Sequence, residues 1–415
     1  MKITRKVFSL IGLLLMLLSF VSPAKASVWK NENTWDSDWE ARYREWVNKE
    51  WKEDILMNPN KPIYYKISHD CADAVYLMRL IFSYENRLPF VINNAHGKGD
   101  ISNSMKTWDR LPPSKRVRRF MDYVTDMTST ETLAHDTYPI ALADILPGDI
   151  YVSPGIHSYQ IVNITETGIA EVMASTTPKA PRYLSRYESF PFYVPEDTKK
   201  MSDGYRRFKQ PKNIHKRMQA QPGFSDEQYR VADEVEHNYV KFTDVVSSKL
   251  GVRKEKPAEK SLRLLMALCM YANDRGVYVY DALYHIKEMR AKGRKCMTHS
   301  EYDSFSTPTR DKRLKQFFDA VREHIKSSYS KDKHSPPQRW AAAIFSEKPP
   351  LPRDLQELDK FCKVELSLQS GYFMSLRELR IKSDEGVLIS DPNAPLDYRW
   401  GITTEPPYKA KCPTY

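Results

Sequence analysis

Two residues in this sequence have the types and local contexts that thiol chemistry needs. Cys71 stands in the run His69-Asp70-Cys71-Ala72-Asp73-Ala74-Val75, where an acidic, turn-forming residue hands over to an apolar stretch of helical period. That pattern predicts a helix beginning at the thiol. First-turn amides and the positive end of the helix dipole favour thiolate over thiol, and the thiolate is the form that attacks a carbonyl carbon. His157 lies well downstream, after the turn Leu146-Pro147-Gly148-Asp149, the strand-like triplet Ile150-Tyr151-Val152 and a second turn at Pro154-Gly155. It is predicted to open a hairpin, where an imidazole can take the thiol proton and return it to a leaving amine. His69 is the other imidazole near the cysteine, and it is expected to face the wrong side of the turn.

Such a pair needs a third polar group to hold the imidazole, and an oxyanion hole. Counting back along a hairpin turned at 165–168 sets Ser175 or Thr176 opposite His157, while Glu171 is the only carboxylate on the returning strand but falls nearer its middle. Geometry favours Thr176 or Ser175; chemistry favours Glu171. Tyr65, on the segment entering the helix, is the candidate to share an oxyanion with the Cys71 amide. The cysteines are spaced too widely for a zinc knuckle and no His-Glu-x-x-His run occurs, so neither metal nor cofactor is expected.

Asp70-Cys71 at a helix start, then Pro147-Gly148-Asp149-Ile150-Tyr151-Val152, then His157-Ser158-Tyr159-Gln160-Ile161-Val162, resembles the NlpC-like and CHAP-like branch of the papain superfamily, over residues 60–180. The resemblance implies a papain-like fold and a secreted cysteine peptidase or amidase, most often cutting the peptide part of bacterial cell wall. It makes Cys71 the nucleophile and His157 the base. Two departures stand out. Such families commonly place a small residue and then glycine after the cysteine, whereas here Ala72 is followed by Asp73, and the longer interval to His157 puts an insertion within residues 86–144.

The elements that must hold these groups are also legible. Lys2, Arg5 and Lys6, the apolar run Val7 to Val21, and Ala24-Lys25-Ala26 predict a signal peptide at 1–26 and a secreted or periplasmic protein. Its loss lowers the formal charge from +11 to +7, a modest excess that suits anionic envelope polymers; with export and no base-reading motif, nucleic acid is not expected, nor is a membrane span after signal removal. Of the five cysteines, the four at 269, 296, 362 and 412 are expected to form two disulfides of open connectivity and leave Cys71 free.

A helix is predicted over 31–57, capped by Ser37 with Glu40, whose stripe Trp39, Tyr43, Trp46, Val47 and Trp51 serves either the core or a glycan-stacking face. The basic, proline-broken stretch 198–214 reads as a linker, and beyond it Val231, Val235, Tyr239, Phe242, Val246 and Leu250 step at helical spacing. Further helices are expected at 261–271, stopping near Gly276, and at 281–291 and 310–327. The expected fold is α+β: a papain-like (NlpC-type) domain at 27–197, then an all-helical domain at 215–415. The expected activity is thiol-mediated amide hydrolysis on cell-wall peptide or another envelope polymer. Its rivals are acyl transfer from the same thioester and a catalytically inactive envelope binding or scaffold protein. No protein partner of the helical half can be named.

Overall fold

The computed structural model describes residues 27–190, 193–332, 334–368 and 370–415, so the expected signal peptide lies outside the described residues. Of the helix expected over 31–57, the first helix, α1, covers Ser37–Glu50, with a separate 3-10 turn at Ile55–Met57, and Asp36, not Ser37, is the cap that accepts the Trp39 amide. Its aromatic stripe turns inward, with Tyr43, Val47 and Trp51 buried, so the core reading of those residues holds. The next helix, α2 (Cys71–Glu85), is buried from Cys71 to Ser83, as a helix running through a core must be. A short antiparallel pair, β1 (Val91–Ile92) and β2 (Ile101–Ser102), and two helices, α3 (Pro113–Met127) and α4 (Thr130–Asp136), complete the layer around it.

Six strands then form one antiparallel sheet: β3 (Thr137–Pro139), β4 (Ile150–Ser153), β5 (His157–Ile164), β6 (Ala170–Ala174), β7 (Ser185–Phe190) and β8 (Gly204–Phe208), in the order β3-β8-β4-β5-β6-β7. The stretch expected to be a basic linker therefore contains an interior strand. Arg206 and Arg207 made it look solvated, but both charges are satisfied by residues distant in sequence. The buried Arg206 donates to the Thr137 hydroxyl and to the Ala134 carbonyl, and Arg207 pairs with Asp149 at 2.8 Å.

The helices that follow are α5 (Glu227–Glu234), α6 (Tyr239–Leu250), α7 (Pro257–Ala291), α8 (His299–Phe305), α9 (Pro308–Asp332), α10 (Pro336–Phe345), α11 (Pro352–Phe361), α12 (Leu376–Asp384) and α13 (Leu396–Arg399). A short antiparallel pair, β9 (Lys363–Glu365) with β10 (Phe373–Ser375), interrupts them, so this half is not wholly helical. The stop expected near Gly276 is absent because α7 runs straight through it for 35 residues. Glycine is there for packing: a β-carbon would lie 2.1 Å from the Glu365 carbonyl oxygen. Disulfides join Cys269 to Cys362 and Cys296 to Cys412, and Cys71 is free. No helix among the described residues is long and apolar enough to cross a membrane.

The sheet separates two cores. Ile150, Val152, Val162 and Met173 join the aromatic layer around α1 and α2. Tyr151, Tyr159, Ile161 and Val172 face the other way and share a core with Phe242, Leu268, Phe317 and other residues of the helical half.

Candidate functional site

Cys71 occupies the predicted position at the first turn of α2, but the helix end is already occupied. Asp70 accepts the amides of Ala72 and Asp73, and Asp73 accepts the Asp70 amide in return, a capping box that takes the Asp73 amide and leaves the thiol only a share of the Ala72 amide. The side chain is only 7 % exposed. Burial, reinforced by the Asp70 charge, pushes the thiol up to about 12, and the Ser158 amide and hydroxyl and the Ala72 amide offset this only in part. Ser158 Oγ lies beside the sulfur without completing a well-directed hydrogen bond. Against the expectation of a thiol activated by its helix terminus, desolvation and a neighbouring carboxylate act in the opposite direction to the capped helix end.

The residue of β5 that meets the sulfur is Ser158, not His157. Successive side chains of a strand point to opposite faces. Ser158 sits across the ladder from Val152, on the α2 side, whereas His157 shares its face with Tyr159, the two rings packed edge-on at 4.5 Å. Alternation sets the imidazole on the face opposite Ser158, and the charges it meets are those of Arg313 and Arg310 whereas the sulfur meets Ser158 and Asp70, so its expected role as the base for Cys71 is corrected. Burial, with Arg313 and Arg310 nearby, pushes His157 well below the usual histidine range and keeps it neutral.

Of the remaining candidates, Ser175 and Thr176 do stand with His157 on the wall of one cavity, as the hairpin count expected, but their hydroxyls are bonded to other side chains. Ser175 Oγ lies 2.8 Å from His69 Nδ1, whose other ring nitrogen meets the Arg182 carbonyl, and burial lowers His69 to about 4. Thr176 shares a hydrogen bond with the Tyr278 hydroxyl, and Glu171 is held by Arg186 at 2.6 Å. The Tyr65 ring lies under the Lys66 ammonium while its carbonyl accepts from Arg118. These hydrogen bonds and the ion pair go to neither the imidazole of His157 nor the sulfur of Cys71.

On the face that His157 does occupy, a cavity of about 740 Å³ opens between the sheet and the helical half. Its walls are His157 and Tyr159 on β5, Tyr187 on β7, Tyr271, Asp274 and Tyr278 on α7, and Arg310 and Arg313 on α9. Arg310 covers the Tyr278 ring at 3.2 Å; Arg313 covers the Tyr193 ring at 4.2 Å and donates to the Tyr159 hydroxyl. Asp274 accepts from the Tyr187 hydroxyl, and burial raises its carboxyl to about 6, with Tyr187 and Arg310 pulling the other way. Sequence reasoning missed this cluster. Its one signal was the i, i+3 spacing of Arg310 and Arg313, which sets both on one helix face.

Among the described residues, no group of three or more His, Cys, Asp or Glu side chains is placed to hold a metal ion. The chain matches no protein-family model, no curated protein and no solved structure.

Proposed function

We propose that this chain is an exported binding protein built on a papain-like (NlpC-type) scaffold, which captures a cell-envelope polymer in the cavity between sheet and helices and does not cut it. The observation that supports this reading is the serine at position 158 opposite the Cys71 sulfur, where thiol hydrolysis would require an imidazole. Burial and the Asp70 charge favour the protonated thiol, and of the cavity walls Tyr278 is near enough to feel the Cys71 charge while His157, Tyr159, Arg310 and Arg313 lie toward the helical half. In a pelleting assay with purified bacterial cell wall, the mature chain and a Cys71→Ala variant should sediment equally. Loss of sedimentation in both would overturn the reading.

A second reading keeps the thiol hydrolase. It is favoured by one fact: Cys71 alone stays free while the other four cysteines pair, at the start of a capped helix. It requires β5 to shift by one residue, which turns every side chain of the strand to the opposite face and would bury Tyr159 beneath α2.

A further inference from the structure

We propose that the cavity takes an acidic saccharide, with the sugar carboxylate held by Arg313 and Arg310 and the sugar hydroxyls by the surrounding hydroxyl groups. This rests on the binding-protein reading and names its ligand class.

The charges point to an anion. Neither guanidinium lies within 4 Å of a carboxylate among the described residues, although Arg310 is near enough to Asp274 to pull its carboxyl down. Both are held by aromatic faces, which stabilise a cation without neutralising it; one Arg313 nitrogen is spent on the Tyr159 hydroxyl, and the remaining donors of the two forks are those a carboxylate would take. Of the acids in the wall, Asp303 is solvent-exposed with His299 at 3.3 Å, and the buried Asp274 accepts from the Tyr187 hydroxyl and faces Arg310, its carboxyl raised by burial.

The rest of the wall points to a sugar. Ser185, Ser306 and Thr309 add hydroxyls to those of the tyrosines, and Ser175, Thr176 and Ser304, each with one hydrogen bond made within the chain, keep acceptor capacity, a lining suited to a polyol. A bare phosphate would use the two arginines and leave that lining idle. The cavity is within the usual size of small-molecule sites, roughly 300–1,000 Å³. A second cavity of about 480 Å³ shares Ile156, Thr309 and Arg313 with it and is walled by Tyr151, Tyr193 and Tyr239, so Arg313 stands where a longer chain would pass from one to the other.

The test is calorimetric titration of the mature protein with three probes: the disaccharide of N-acetylglucosamine and N-acetylmuramic acid with its carboxylate free, neutral chitobiose, and inorganic phosphate. The acidic disaccharide should bind, and chitobiose should bind roughly 10- to 100-fold more weakly, the worth of hydrogen bonds to a charged group. Arg310→Gln and Arg313→Lys should each weaken the acidic disaccharide by about tenfold or more with circular dichroism unchanged, and Cys71→Ala should not alter it. Equal affinity for chitobiose, phosphate binding as tight as the disaccharide, or full affinity in both arginine variants would overturn the inference. If no probe binds while intact cell wall still sediments the protein, the ligand class is wrong and the binding-protein reading survives; if cell wall fails too, both fall.

Discussion

The most exposed consequence of the Cys71 environment is its reactivity. The thiol stands at about 12 against an ordinary value of 9.0, because burial and the Asp70 carboxylate outweigh the amides that face the sulfur. At pH 8 an ordinary cysteine is about one-tenth thiolate, whereas Cys71 would be thiolate about once in ten thousand molecules. Since the thiolate is the attacking form, iodoacetamide should label native Cys71 about 1,000-fold more slowly than the same residue in urea, with near-complete burial slowing it further. Intact-mass spectrometry follows this directly. In urea without reductant one adduct should form, because the other four cysteines are bridged. The native rate should climb about tenfold per pH unit up to at least pH 11. Native labelling as fast as in urea, or a rate that levels off below pH 9, would show a stabilised thiolate and refute the reasoning.

His157→Ala should leave that labelling rate within about twofold of wild type, since the imidazole lies across the sheet; a large change in the same mass assay would return His157 to the sulfur. Asp73 is raised from 3.8 to about 7 by burial and by the Asp70 charge. A carboxyl raised on folding contributes stability that is complete below its unfolded value and is lost as pH rises through the folded one, here between about pH 4 and 7, by at most about 4 kcal/mol. Urea unfolding of Asp73→Asn should therefore improve relative to wild type across that window and then level, and a constant difference would contradict the assignment. Replacing both Cys269 and Cys362 with serine removes a bridge across 93 residues and should cost about 2–5 kcal/mol, read as a lower urea midpoint.

Local signals in the sequence were reliable where one segment determines the answer. The helix start at Cys71, the turn at 147–149, the hairpin opening at His157 and the α1 stripe all follow from capping, turn chemistry and apolar period. The errors share one cause, that the deciding partner lies far away in the chain. Arg206 and Arg207 read as solvated until β8 is placed between β3 and β4. Gly276 read as a helix stop until Glu365 packs against it. The face of His157 was readable in principle, because a strand alternates, but choosing which face meets α2 requires knowing that Val152 and Val162 enter that core. The arginine cluster of α9 has no meaning until α9 is packed beside the tyrosines of β5 and α7.

The central claim is that this protein holds envelope polymer without cutting it through Cys71. Incubating the mature chain and its Cys71→Ala variant with purified cell wall, then analysing the soluble fraction by mass spectrometry, measures that directly. Wild type should release no peptide or amino-terminal fragments beyond those seen with the variant. Fragments with newly formed carboxyl or amino ends that appear with wild type and vanish with Cys71→Ala would contradict it.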